Sequence, residues 1–241
     1  MTRPFEFTAT FRRPNPPSVT EQVGELYRIL PSMLDCSSAL APWYLKGKSK
    51  EEALRYIAFD ASGLATAGMA VLKENLKLDV DPRIVSVWNG REGSDAASLQ
   101  YTFRPAPERS MVVLRAKPEA FSDRGEVVAE LVRSAVSIWR PSSLSVERFG
   151  GFEHKVFKDR PGVGWMLYLP SAISTQQVPE ARALLPVTVK NEKGKEEQIG
   201  TIIVSTVDDP YSDENPEHVK VANAIEIRLV DQDLLPRYRD L

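Results

Sequence analysis

From Phe5 to Phe11 every second residue is apolar: Phe5, Phe7, Ala9 and Phe11 alternate with Glu6, Thr8 and Thr10. That two-residue period marks a half-buried strand, because successive side chains point to opposite faces. The spacing predicts a strand over residues 5–12, stopped by Pro14, Pro16 and Pro17. The period then lengthens. Ser18-Val19-Thr20-Glu21 has the spacing of a capping box, in which a hydroxyl and a carboxylate satisfy each other's backbone donors at a helix start. Val19, Val23, Leu26, Leu30 and Met33 follow as one apolar stripe at helical spacing. Ser49-Lys50-Glu51-Glu52 repeats the capping signature and predicts a second helix through Ala53, Leu54, Ile57 and Ala58. Gly63 interrupts it, and the pattern resumes over Leu64, Gly68, Val71 and Leu72, where small residues permit close approach to another element.

From Arg83 the pattern reads as strands, over 83–88, 98–103 and 111–116, with turns at Asn89-Gly90 and Pro105-Ala106-Pro107-Glu108. Connections this short imply antiparallel neighbours. A helix over 123–139 carries Val127, Val128, Leu131, Val132, Ala135, Ile138 and Trp139, the broad apolar face of a central core helix, and Pro141 ends it. Strands return over 144–149, 163–169, 186–190 and 198–205, the last two joined by a hairpin tip at Asn191-Glu192-Lys193-Gly194-Lys195. Asn215-Pro216-Glu217 reads as a capped helix start. Ile225, Ile227 and Leu229 alternate as a strand would, and the helix is favoured.

The resulting order predicts an α+β fold, a mainly antiparallel sheet packed by several helices. Strand–helix–strand–strand recurs around 5–103 and 111–169, the pattern of two loosely related halves. No Gly/Ser linker or low-complexity tract divides the chain, so residues 1–241 are read as a single domain.

Composition narrows the function. Hydrophobic residues at 42% and charged residues at 27% describe an ordinary globular chain. The amino terminus has no signal-peptide core, no run approaches a membrane span, and the lone Cys36 cannot form an internal disulfide. These features predict a cytoplasmic protein with no membrane partner. The net charge of −2 is unevenly spread. Residues 206–241 hold nine acids (Asp208, Asp209, Asp213, Glu214, Glu217, Glu226, Asp231, Asp233, Asp240) against four bases (Lys220, Arg228, Arg237, Arg239), a local −5. Such an end repels nucleic acid and favours a basic partner surface.

Candidate chemistry is sparse. Gly47-Lys48-Ser49 resembles the end of a phosphate-binding loop, but the glycine required five residues before Gly47 is replaced by Pro42, which has no amide proton to offer. Helix capping accounts better for Ser49. His154, His218 and Cys36 do not make a zinc spacing, and the acids at 208–214 lack the alternating oxygens and central glycine of a calcium loop. Glu74-Asn75-Leu76-Lys77 offers a carboxylate and a lysine without the upstream acidic pair of a metal-dependent nuclease. The reading is therefore of no catalytic residues, no metal and no cofactor. Trp139 and Trp165 lie in apolar segments and are read as core. Trp43 and Trp88 stand at element ends, where an aromatic can anchor a partner.

Several segments together resemble the bacterial immunity protein 52 family. They are Trp43-Tyr44-Leu45-Lys46-Gly47 with Ser49-Lys50-Glu51-Glu52-Ala53-Leu54, Val87-Trp88-Asn89-Gly90, Val163-Gly164-Trp165-Met166-Leu167-Tyr168-Leu169-Pro170, and Ile227-Arg228-Leu229-Val230-Asp231-Gln232-Asp233-Leu234-Leu235-Pro236. The resemblance implies a cytoplasmic, non-enzymatic antitoxin of a type VI secretion or polymorphic toxin system. Its partner would be a cognate effector, typically a restriction-endonuclease-fold DNase, blocked by occlusion. On that expectation Asp208, Asp209, Tyr211, Asp213 and Glu214 are the first candidates for toxin contact, with Trp43 or Trp88 as a hydrophobic anchor. A secretion-system adaptor that binds an effector without inhibiting it, and an uncharacterised hydrolase, are the alternatives. The sequence does not specify an oligomeric state.

Overall fold

The computed structural model describes residues 3–76, 81–191 and 193–241. Eleven strands form one sheet, and every ladder in it is antiparallel. They are β1 (Phe5–Phe11), β2 (Trp43–Leu45), β3 (Ile57–Asp60), β4 (Gly63–Leu64), β5 (Arg83–Trp88), β6 (Ala97–Phe103), β7 (Ser110–Ala116), β8 (Ser143–Arg148), β9 (Met166–Leu169), β10 (Ala183–Lys190) and β11 (Glu196–Val204). The order across the sheet is β10-β11-β9-β8-β1-β7-β6-β5-β2-β3-β4. The amino-terminal strand is thus the seam. Strands from residues 43–116 lie on one side of it and strands from residues 143–204 on the other.

The helices are α1 (Val19–Arg28), α2 (Leu30–Cys36), the single turn α3 (Lys50–Ala53), α4 (Thr66–Asn75), α5 (Gly125–Trp139) and α6 (Pro216–Asp231). The capping box at α1 is complete: Glu21 N–H donates to Ser18 Oγ at 3.1 Å, and Ser18 N–H donates to Glu21 Oε2 at 2.6 Å. α5 buries Val128, Leu131, Val132, Ala135, Val136 and Trp139 against α2 and β1. Phe5, Phe7, Ala9 and Phe11 form its floor, and the Trp139 ring stacks on Phe11 at 6.3 Å. Trp165, also core, lies 5.5 Å from Phe5.

Three expectations are corrected. The helix read through Ile57 and Ala58 stops at Ala53, because residues 57–60 pair as β3 with the short strand β2, Trp43 opposite Phe59. Pairing with β2 and β4 and the burial of Ala58 and Phe59 outweigh the local helical pattern, including the high helix propensity of Ala58. Asn89-Gly90 is not a tight hairpin. Asn89 is buried, and its side chain donates to the carbonyls of Ala39 (2.9 Å) and Asp95 (2.7 Å) while accepting from Ala97 N–H at 2.9 Å, organising a longer connection. The stripe Val19–Met33 is split between α1 and α2, which meet at Ile29. Lys77 and Glu192 lie outside the described residues.

The two faces of the sheet differ. Phe7 pairs with Leu114 and Val146 toward α5, whereas Glu6 pairs with Arg115 and Glu147 on the other face. α6 lies over that second face beside β8, where Ala222, Asn223 and Glu226 line one small cavity together with Glu147 and Gly164. Gly164 has a left-handed φ of +48°, and a Cβ there would sit 2.4 Å from the Glu147 Cβ, so only glycine admits this approach.

Candidate interaction surface around helix α6

The acidic segment predicted from sequence leads directly into α6, and its residues divide into two sets. Tyr211 is buried, its ring stacked 6.2 Å from that of His218, and burial pushes its phenol pKa up. Asp213 turns inward onto Arg3 Nη1 at 3.2 Å, with its side chain almost wholly covered. Arg148, itself buried beneath the segment, donates to the carbonyls of Tyr211 (3.0 Å) and Arg3 (3.1 Å) and lies 3.6 Å from the centre of the Phe5 ring. Thr206 Oγ1 donates to the Asp209 carbonyl at 2.9 Å, and Ser212 N–H to His218 Nδ1 at 3.1 Å. Asn215 caps α6 by accepting from Glu217 N–H at 3.0 Å.

These contacts hold the segment in one shape with Asp208, Asp209 and Glu214 exposed. None of those three carboxylates makes an ion pair among the described residues. Tyr211 and Asp213 therefore shape the surface from beneath, and the others present it.

The first turns of α6 form a ridge between two concavities. One, of about 660 Å³, is lined by Glu214, Val219, Asn223, Ala224 and Ile227 and faced by His154 from the 3₁₀ turn Gly151–His154. Ile227 is 52% exposed there, and Phe152 on the same turn 51%. The other, about 280 Å³, is lined by Arg182, Val207, Asp208, Asp209, His218 and Val221, with Val207 57% exposed. Both concavities thus set exposed apolar side chains beside unpaired acids, with Lys220 in the first lining and Arg182 in the second.

Behind this surface sits a cluster that the sequence reading missed. Glu226 is buried on α6, where Oε2 accepts Val156 N–H at 3.0 Å and Oε1 accepts Val163 N–H at 3.3 Å. Burial raises its carboxyl pKa, and these amide donors only partly offset that. Burial raises the Glu147 carboxyl too, with the nearby Lys155 opposing. Lys155 Nζ donates to the Arg160 carbonyl (2.7 Å) and to Tyr238 Oη (3.0 Å). The cavity between Glu147, His154, Lys155 and Glu226 measures about 10 Å³, the size of one water. This arrangement clamps residues 155–163 onto α6. The available signal was Glu226 between Ile225 and Ile227, an acid inside an apolar run.

The tryptophans separate. Trp43 is 0% exposed, packed 6.3 Å from Phe59, so the expectation of partner contact there is corrected: its position on β2 turns it into the core. Trp88 is half-buried on the second face of the sheet, between Tyr44 and Ser98 in the ladder. Cys36, on α2, lines neither concavity beside α6. Burial and the neighbouring Asp35 push its thiol pKa up to about 12. Among the described residues no three His, Cys, Asp or Glu side chains converge as a metal-ligand set. No helix is long and apolar enough to cross a membrane, again among the described residues.

The model of the family described as Immunity protein 52 matches residues 17–237 of the chain. No curated protein matches the sequence. Among solved structures the chain is similar to a Pseudomonas aeruginosa T6SS protein, PA0821, at 9% identity and a TM-score of 0.50. That likeness covers 92% of this chain and 75% of the other, and at such identity it speaks to the fold alone.

Proposed function

The chain belongs to the immunity protein 52 family, and from that premise we propose that it binds and neutralises a cognate toxin through the ridge and grooves around α6. The system is a type VI secretion system, and the toxin is a DNase of the restriction-endonuclease fold, blocked by steric and electrostatic occlusion rather than by any reaction of the immunity protein. It acts in the cytoplasm, where such a toxin would meet the cell's DNA.

The observation that carries this reading is the trio Asp208, Asp209 and Glu214, exposed and unpaired beside exposed Ile227 and Val207. A DNase must offer a basic face to phosphate. Carboxylates compete for that face and speed encounter, while desolvated apolar anchors supply the slow dissociation. Tyr211 and Asp213 contribute by holding the segment in shape, and Trp88 marks a second contact region on the open sheet face.

A toxin gene is expected adjacent to this one; the test is co-expression with that candidate toxin, followed by titration of the purified pair. The wild-type chain is expected to restore growth. Asp208→Lys with Asp209→Lys is expected to weaken binding at least about tenfold at low salt, chiefly by slowing association, and Ile227→Asp to speed dissociation. Growth that is not restored although the complex forms would move the reading to an adaptor. Unchanged affinity in both variants would remove α6 as the contact surface.

A further inference from the structure

We infer that a second concavity, on the opposite strand ends from the acidic segment, is a binding site for a small ligand bearing a di- or triphosphate group. It is an open groove of about 450 Å³ lined by Arg12, Arg104, Arg109 and Arg239, together with Glu108, Tyr238 and Leu241. Its size falls within the range of about 300–1,000 Å³ usual for small-molecule sites.

The sequence scatters these arginines and the sheet gathers them. β1 and β7 run antiparallel with Phe11 opposite Ser110, so Arg12 and Arg109 stand next to each other just beyond the last pair of that ladder. Like charges facing each other across a ladder are destabilising when nothing lies between them. Arg104 arrives from the other side of the β6–β7 turn, and Arg239 from the closing 3₁₀ turn Tyr238–Asp240.

Protein acceptors satisfy these guanidinium groups only in part. Arg104 pairs with Glu108 at 2.6 Å, the one acidic side chain in the lining. Arg12 donates Nε to the Leu241 main-chain oxygen at 2.8 Å, and its terminal amino groups have no acceptor among the described residues. Arg239 meets only its neighbour Asp240, at 3.6 Å. Arg109 has no hydrogen bond or ion pair among the described residues and rests over the Tyr238 ring at 5.7 Å.

Guanidinium forks match the paired oxygens of phosphate, and several can share one polyphosphate, whereas Glu108 and the Leu241 main-chain oxygen engage only Arg104 and Arg12 and leave Arg109 without an acceptor among the described residues. The Arg109–Tyr238 contact sets that guanidinium at the wall without neutralising it. The site is separate from the α6 surface and does not depend on the toxin.

The probe is inorganic pyrophosphate, titrated calorimetrically into the purified full chain at physiological ionic strength. Saturable binding is expected, with a matching rise in melting temperature. Arg109→Gln and Arg12→Gln are each expected to weaken it about tenfold or more. Arg124→Gln, which removes an exposed arginine elsewhere, is expected to leave it unchanged. Circular dichroism identical to wild type keeps the result from reflecting misfolding. No binding at millimolar pyrophosphate, or binding that Arg124→Gln weakens as much as Arg109→Gln does, would overturn the proposal. Weaker toxin affinity in the Arg109→Gln variant without any pyrophosphate binding would also overturn it, assigning the cluster to acidic side chains of the partner.

Discussion

Glu226 accepts the main-chain N–H of Val156 at 3.0 Å from inside the protein, and its second oxygen does the same for Val163. A helix carboxylate thereby replaces a strand as the partner of an irregular segment, which follows directly on the turn that brings His154 to the groove lined by Ile227. Glu226→Ala would leave two covered amides without acceptors, at about 1–3 kcal/mol each. The expected result is a lower denaturation midpoint together with faster hydrogen exchange at 155–163. A midpoint loss without local loosening would mean the clamp is packing alone.

The same group sets a pH dependence. Burial raises the Glu226 carboxyl above its ordinary 4.5, and Glu147 shifts in the same direction. Between 4.5 and the raised value the folded state holds a proton that the unfolded chain has released. Stability contributed by these groups is therefore complete below 4.5 and lost as pH climbs through the folded value. Glu226→Gln should flatten that fall in a series of denaturant melts. An equally steep profile would place the linkage elsewhere.

Two glycines should respond in opposite directions to alanine. At Gly68 on α4 a new Cβ would meet the Ile57 carbonyl oxygen at 1.9 Å, forcing helix and strand apart at about 1–3 kcal/mol. At Gly24 on α1 nothing lies within 4 Å, and alanine should stabilise by roughly 0.5–1 kcal/mol through reduced chain entropy. Melting temperatures of the two variants check both signs.

Cys36 should resist thiol reagents. With its pKa pushed up to about 12, the reactive thiolate is scarce at neutral pH. A colorimetric disulfide reagent is expected to label the chain only after unfolding. Rapid native labelling would show an accessible thiolate and reopen a role for it.

We propose that the chain is one cooperative domain, because β1 joins the two sets of strands through ladders on both sides. Calorimetry should give a single transition, and Thr8→Pro, which breaks into the seam strand, should lower it as a whole. Two separable transitions would divide the chain at β1.

Much of this architecture was legible from local pattern. The alternation over Phe5–Phe11, the Ser18–Glu21 box, the apolar face of α5 and the Asn215-Pro216 start of α6 are short-range effects, settled by residues within a turn or two of one another. The acidic character of residues 208–214 was equally plain. Long-range pairing was not. Nothing near Trp43 signals that three residues will be claimed by β5 and β3, and the burial that follows removes it as an anchor. Tyr211 and Asp213 read like their exposed neighbours until Arg3 and Arg148, far away in the chain, draw them inward. Glu226 reads from sequence only as one of nine acids in the closing segment, because its two amide donors lie some seventy and sixty residues upstream. The four arginines share no local pattern at all. Sequence alone settled most of the longer strands and helices and where charge accumulates, since those depend on neighbours along the chain, but not the short strands β2, β3 and β4, which exist only through their pairing. Which side chains face a partner and which hold the surface from beneath was decided by the sheet's register, because burial and pairing are set by residues that meet only once the strands have found each other.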